Sequence, residues 1–287
     1  MASTLRSMHS EISERFHALT ALPESQLGLA EGALVLAAEA RPDLEIDRVL
    51  ESLDELVDRA GPLVEAHDTP SAAVTSLNHV LFELEGFRGD KQQYDDPRNS
   101  FLDEVLTRRR GLPITLSILY VEVARRLGFE AYGVGFPGHF LAKVIGVHDT
   151  AEGEIIIDSF FARILRREDC VSRLQAATGI PEVQSEAWLQ PSSALEIYAR
   201  VLNNLKMLYL RQGDGLSALG CFDRILLLTP AAVAEVRDRA YLLERLECTH
   251  AAIEGYSHYL ELVSDQEDVG AIRSRRNALV QSRPRLN

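Results

Sequence analysis

Apolar residues between positions 25 and 86 recur at helical spacing and predict three helices. The second is marked by five of them: Val49, Leu50, Leu53, Leu56 and Val57. The first helix is expected to end before Pro42, and Thr69 followed by Pro70 supplies the third with an N-cap and a first-turn proline. Residues 1–98 are therefore predicted to form a helical cap that ends in a polar loop over residues 86–98.

The middle of the chain, residues 99–185, combines segments with helical spacing of apolar residues and segments with the composition of strands. A helix is expected from Leu102 to about Arg109, and a second begins at Pro113, carries one apolar stripe and closes at Gly128. Three short segments rich in β-branched residues follow, at residues 129–134, 139–147 and 154–157. We expect them to form a small antiparallel sheet against the second helix.

Residues 192–287 read as helices that repeat with a period of 34 residues. At that offset Tyr209 matches Leu243, Ala218 matches Ala252 and Phe222 matches Tyr256. This period of paired helices is typical of tetratricopeptide repeats. Two ordinary helical hairpins are the alternative, because Glu247 stands where the turn glycine of the first repeat, Gly213, would recur.

Composition excludes several classes of partner. The formal net charge of −13 over 287 residues disfavours nucleic acid. Three cysteines give no disulfide framework and fit a reducing cytoplasm. The first residues lack the apolar core of a signal peptide, and the apolar runs are too short to cross a membrane. No histidine pair has the spacing of a metal site, so no metal and no other cofactor is expected.

The candidate chemistry lies around the predicted sheet. His139 opens its second strand and Asp158 follows its third, so the two side chains are predicted to face each other across neighbouring strands. Cysteine proteases and transglutaminases use this arrangement, with a thiolate at a helix N-terminus beside the histidine. Here Pro113 occupies the corresponding helix start, and proline has no nucleophile. Cys170 lies in a charged stretch and is expected to be an ordinary thiol.

Several runs resemble one family more closely. They are Asn99-Ser100-Phe101-Leu102, Arg109-Arg110-Gly111-Leu112-Pro113-Ile114, Leu127-Gly128, Phe136-Pro137-Gly138-His139-Phe140-Leu141 and Ile157-Asp158. On these residues the chain resembles the bacterial SirB-one family, in which a transglutaminase-like core is followed by tetratricopeptide repeats. The resemblance implies an α+β, mostly helical protein with a papain-like core and a small antiparallel sheet.

The resemblance also places residues around the cleft. His139 and Asp158 match the family's histidine and aspartate. Five further residues are expected to line or border the cleft and to contact a partner: Tyr94, Asn99, Arg109, Pro113 and Gly138. For Arg109 the alternative is an ion pair on its own helix, with Asp103 or Glu104.

Two classes of function follow. The leading hypothesis is a degenerate transglutaminase-like protein, non-catalytic or weakly catalytic, that binds a protein or peptide through its cleft and repeats in the cytoplasm. The second is a hydrolase or acyltransferase in which Thr115 or Ser117 is the nucleophile, His139 the base and Asp158 its orienting group. A small-molecule sensor is a third possibility. His139 and Asp158 could also serve only to hold two strands together.

Overall fold

The structure, a computed structural model, describes residues 14–23, 26–151, 153–179, 185–263 and 267–282. It divides into two compact units, Met1–Val201 and Leu202–Asn287. The outer ends of the predicted cap and repeat regions, residues 1–13 and 283–287, lie outside the described residues. Within the described ranges no helix is both long and apolar enough to span a bilayer.

Helices precede the core, as the apolar periodicity predicts. A helical stretch covers residues 14–20. Three helices follow it: α1 (Leu29–Ala40), α2 (Ile46–Glu65) and α3 (Pro70–Asn78). Helix α3 continues as a π-helical turn over His79–Leu84. The Thr69 side chain caps α3 by accepting a hydrogen bond from the Ala72 N–H group at 3.4 Å. The three helices predicted for the N-terminal region are therefore confirmed.

The polar segment after α3 contains more structure than the loop predicted from its composition. Arg88–Gly89 forms a short strand, β1, that pairs in parallel with β2, Arg110–Gly111. Between them lie a 3-10 turn, Pro97–Ser100, and helix α4, Leu102–Arg108. Because β1 and β2 are far apart in the chain and only two residues long, no periodicity reveals them.

The central helix, α5, is Pro113–Arg126 and begins where the sequence predicts. All its residues from Pro113 to Ala124 are buried, whereas the sequence predicts one apolar stripe. α5 contacts α1, α2 and α4 as well as the sheet, and a helix enclosed on all sides has no solvated face. The buried surface of α5 therefore extends beyond the single apolar stripe that the sequence predicts.

The sheet has four antiparallel strands in chain order. They are β3, Glu130–Phe136, β4, His139–Ile145, β5, Glu154–Asp158, and β6, Arg163–Leu165. The first three confirm the predicted strands to within two or three residues, and β6 was not predicted. Helix α6, Arg167–Thr178, buries Cys170 and Leu174 in one cluster with residues of all four strands. A short helix, α7, Ser185–Trp188, follows.

The second unit is helical and shows the predicted repeat. It begins at Leu202, within helix α8 (Ala194–Gln212). The helices that follow are α9 (Gly215–Leu228), α10 (Val233–Arg245), α11 (Thr249–Leu262) and α12 (Val269–Ser282). Gly213 and Glu247, 34 residues apart, both adopt positive φ, 77° and 60°. The residue matching the turn glycine thus keeps the turn's left-handed backbone, although a glutamate adopts it less readily. The α+β, mostly helical fold is confirmed.

Candidate functional site

The predicted meeting of His139 and Asp158 is confirmed. His139 is the first residue of β4 and Asp158 the last of β5, and these strands pair directly. The His139 Nε2 atom lies 2.9 Å from the Asp158 Oδ1 atom. An ionised carboxylate accepts, so Nε2 carries the proton of this hydrogen bond. Nδ1 has no hydrogen-bond partner among the described residues.

A tight turn sets the position of His139. Phe136 pairs with His139 across a two-residue connection, and Gly138 within it has a φ of 66°. Proline followed by a glycine with positive φ is the combination that a type II turn requires. The Arg200 Nη2 atom donates to the carbonyl oxygens of Phe136 at 2.8 Å and His139 at 2.5 Å, which holds both ends of the turn. Burial lowers the pKa of the Arg200 guanidinium, and the nearby Tyr94 partly offsets it.

Asp158 is a fully buried anion with three donors. Besides His139, its carboxylate accepts from the Phe161 N–H group at 3.2 Å and from Arg173 Nη1 at 2.8 Å. Burial by itself raises the pKa of Asp158, but the hydrogen bonds from His139, Arg173 and Phe161 outweigh it and hold that pKa below its usual range. The carboxylate is therefore ionised at neutral pH and fixes the orientation of the imidazole.

Aromatic rings frame the histidine. Phe160 meets the His139 ring edge-on at 6.2 Å between centroids, and Phe161 lies 5.9 Å away. Tyr94 contacts Phe160 at 6.0 Å. The sequence analysis missed Phe160 and Phe161, although two consecutive aromatic residues just after the Asp158 position were a usable signal. Tyr94, predicted at the cleft, lies beside this ring group.

The start of α5 offers no nucleophile at its surface. Pro113 is its first residue and is buried. The Thr115 hydroxyl donates to the Asn99 carbonyl oxygen at 2.7 Å and accepts from the Leu112 N–H group at 3.0 Å, so it ties the helix start to the preceding segment. The Ser117 side chain is wholly buried, and its hydroxyl has no hydrogen-bond partner among the residues that the structure describes. Neither hydroxyl forms a hydrogen bond with His139.

Asn99 and Arg109 belong to the framework around β1 and β2. The buried Asn99 amide donates to the Gln93 carbonyl oxygen at 2.6 Å. Arg109 Nη2 pairs with Glu85 at 2.9 Å, and its guanidinium stacks on Phe87, 4.4 Å from the ring centroid. Burial lowers the pKa of Arg109, and Glu85 partly compensates.

The alternative ion pair proposed for Arg109 is wrong. Asp103 and Glu104 both pair with Arg41 of the α1 C-terminus instead. Arg109 itself adopts a left-handed backbone, with φ 57°, at the end of α4. This conformation turns the chain away from α4 and brings Arg109 towards Glu85 rather than along its own helix.

Cysteine and metal chemistry find little support in the described part of the chain. Burial raises the pKa of the Cys170 thiol to about 11, so the thiolate is scarce at neutral pH, as expected of an ordinary thiol. Within the described ranges no group of three or more His, Cys, Asp or Glu side chains is arranged to hold a metal ion.

Comparison with known proteins matches each of two parts of the chain to a protein family. Residues 47–203 match the transglutaminase-like superfamily, and residues 205–277 match the tetratricopeptide repeat. A UPF0162 protein of Xylella fastidiosa is 31% identical over 90% of this chain and 92% of its own length. A UPF0162 protein of Pseudomonas aeruginosa is 33% identical over 81% of this chain and 84% of its own.

A shorter match is eukaryotic. F-box only protein 21 of Mus musculus is 41% identical over 73 residues, which are 25% of this chain and 12% of that protein. No solved structure matches the chain.

Proposed function

The chain belongs to the transglutaminase-like superfamily, in a bacterial branch whose core is followed by tetratricopeptide repeats, and from this premise we propose that it is a cytoplasmic peptide-binding protein rather than an enzyme. In this proposal the cleft beside His139 holds an extended segment of a protein partner. The repeats contribute a second protein-binding surface, since such repeats generally mediate contacts between proteins.

The missing nucleophile supports a binding role. Acyl transfer on this fold requires a thiolate or alkoxide next to the imidazole. The helix start carries Pro113, and the hydroxyls of Thr115 and Ser117 are buried away from solvent. The Thr115 hydroxyl already donates to a backbone carbonyl, so deprotonation would break a buried hydrogen bond.

The observation that carries the proposal is the half-exposed aromatic group around an ordered His–Asp pair. Tyr94 and Phe161 are 49% and 44% exposed, although both rings make edge-on contacts with Phe160. Exposed aromatic side chains held rigidly beside a polar group are typical of recognition sites. The unpartnered Nδ1 atom of His139 can accept a hydrogen bond from a peptide N–H group.

The cysteines fit the proposed location. All three, Cys170, Cys221 and Cys248, are free thiols. Free thiols persist in a reducing compartment such as the bacterial cytoplasm.

The test uses the purified full-length chain on an array of short synthetic peptides, with the hits measured in solution by isothermal titration calorimetry. We expect Phe161→Ala to weaken binding of the hits by about tenfold, because one well-placed aromatic contact contributes on the order of 1.5 kcal/mol. Leu84→Ala is the matched control, since Leu84 is also an exposed apolar residue, at 60%, and is expected to change nothing.

Two outcomes would reject the proposal. One is equal loss of binding in both variants, or no loss in either. The other is turnover of a peptide or ester by the wild-type chain that disappears in His139→Ala and in Thr115→Val or Ser117→Ala. That result would establish the hydrolase or acyltransferase alternative.

A further inference from the structure

Three cations lie over the ring of Phe161. The Lys91 Nζ atom lies 4.6 Å from the ring centroid, and the guanidinium carbons of Arg163 and Arg173 lie 5.4 and 5.7 Å from it. We call these four residues the Phe161 cation cluster. Phe161 lies in the turn between β5 and β6, Arg163 begins β6, Arg173 belongs to α6, and Lys91 comes from the loop after β1, which only the tertiary structure brings to the other three.

The positive charge of the cluster is only partly neutralised, because three cations face one nearby buried carboxylate. Asp158 is the carboxylate beside it, and that group is buried and already saturated by three donors. Arg173 pairs with Asp158, but Arg163 approaches it only to 3.9 Å. Lys91 forms no ion pair with any residue in the described part of the chain.

Elsewhere in the same unit, arginines pair closely with carboxylates. Arg41 lies 2.7 Å from Asp103, and Arg59 lies 2.7 Å from Glu85. In a protein of net charge −13, a group of cations that shares one buried anion is a local reversal of the overall charge. Such a patch concentrates anions at the surface.

The geometry limits how far apart these charges are. Because each lies within 5.7 Å of one ring centroid, any two of them lie within about 11 Å of each other, close to the Debye length at physiological salt. Side chains on one face of an extended peptide recur about every 7 Å. Because this repeat is shorter than the upper limit for the cluster, two acidic side chains of such a peptide can lie over it together.

We propose that the Phe161 cation cluster binds acidic side chains that lie on one face of an extended peptide. Phe161 itself is 44% exposed and therefore open to such a ligand. This inference rests on the proposed function and names the chemical class of its ligand. A long polyanion such as nucleic acid is disfavoured because the remaining surface is strongly acidic.

The experiment measures fluorescence anisotropy of a labelled, C-terminally amidated peptide in which glutamate alternates with leucine. Matched probes carry glutamine or lysine in place of glutamate, and a fourth carries phosphoserine. We expect the glutamate probe to bind about tenfold more tightly than the glutamine probe, since each surface ion pair contributes up to about 1 kcal/mol. The lysine probe should not bind, and added salt should weaken the glutamate probe.

Charge reversal locates the site. Lys91→Glu and Arg163→Glu should each weaken the glutamate probe by about tenfold and leave the glutamine probe unchanged. Both side chains are exposed, and Lys91 forms no ion pair in the described part of the chain. Arg163 lies 3.9 Å from the buried Asp158, so the melting temperature of Arg163→Glu is compared with that of the wild type before binding is measured. Arg48→Glu is the control, because Arg48 is 80% exposed and pairs only with the exposed Glu45.

The outcomes separate this inference from the proposed function. Equal affinity for the glutamate and glutamine probes, or full affinity in Lys91→Glu and Arg163→Glu, would overturn the inference. So would binding of the phosphoserine probe alone, which would assign the cluster to phosphate. Array peptides that depend on Phe161 but carry no acidic residue would overturn the inference and leave peptide binding intact.

Discussion

Replacing Asp158 with asparagine tests how strongly the buried anion organises the site. Asp158→Asn keeps the side-chain volume and one acceptor oxygen but removes the charge that faces His139 and Arg173. The new amide group then presents N–H donors to a site that already holds three donors. The substitution therefore creates a donor–donor conflict as well as a lost ion pair.

The expected loss of stability follows from these contacts. A hydrogen bond to a charged group contributes about 1.5–3 kcal/mol, and breaking a buried ion pair costs about 3–5 kcal/mol. Arg173 keeps a 26% exposed side chain, so water partly replaces its lost partner. We expect a decrease in unfolding free energy of about 3 kcal/mol at neutral pH, which corresponds to about 10 °C in melting temperature for a unit of this size.

The pH dependence adds a second signature. The pKa of Asp158 is lower in the folded state than the value of about 3.9 in an unfolded chain. The stabilisation by its charge is therefore complete above about pH 5 and is lost as the pH falls through the folded pKa. The difference between the wild type and Asp158→Asn should be constant from about pH 5 to 8 and should shrink in more acidic solution.

Urea denaturation followed by circular dichroism at a series of pH values measures both effects. Asp54→Asn is the control, because Asp54 is a 66% exposed carboxylate that pairs with Arg126, and its loss should cost less than about 1 kcal/mol. If Asp158→Asn were as stable as that control, or if its deficit did not change with pH, the buried ion-pair argument would be wrong.

Three further substitutions test the surrounding architecture. Thr115→Val should reduce the unfolding free energy by about 1 kcal/mol in urea denaturation, because it removes the buried hydrogen bonds of the hydroxyl, whereas the Leu112 N–H group keeps its bond to the Asn99 carbonyl oxygen at 3.1 Å. Unchanged stability would contradict a framework role. Gly138→Ala should lower the melting temperature by a few degrees, since its φ of 66° strains any Cβ-bearing residue by about 1 kcal/mol. By contrast Gly220→Ala, where a Cβ atom meets open space within α9, should leave the melting temperature unchanged or raise it. Differential scanning calorimetry measures both glycine variants. Pro113→Cys should place a thiol at a helix N-terminus with a pKa below about 8.5. It should react with iodoacetamide faster than Cys170, and an equal or slower rate by mass spectrometry would refute the proposed match to the family's cysteine position.

The two interpretations of the His139–Asp158 pair differ in what they predict for binding. If the pair only holds two strands together, His139→Gln lowers stability and leaves peptide affinity unchanged in the surviving folded protein. If it belongs to a binding cleft, affinity falls as well. Measuring both quantities on one variant therefore separates a structural hydrogen bond from a recognition site.

The parts of this protein that its sequence determines are those that local patterning encodes. Proline at the start of α5 and the strand-like runs depend on neighbours a few residues away, and the 34-residue period appears when the chain is compared with itself at that offset. The meeting of His139 and Asp158 also follows, because an antiparallel connection of consecutive strands leaves few alternatives for their ends.

Tertiary structure alone decided which side chains surround His139. The pairing of β1 with β2 and the approach of Lys91 to Phe161 join segments that are far apart in the chain. Thr115 donates a hydrogen bond to Asn99, and Arg200 donates one to the turn before β4. Both bonds form only when remote elements pack together. Local periodicity reports which face of an element is apolar, but it contains no distance between elements, so charges and polar groups that meet across the fold cannot be read from it.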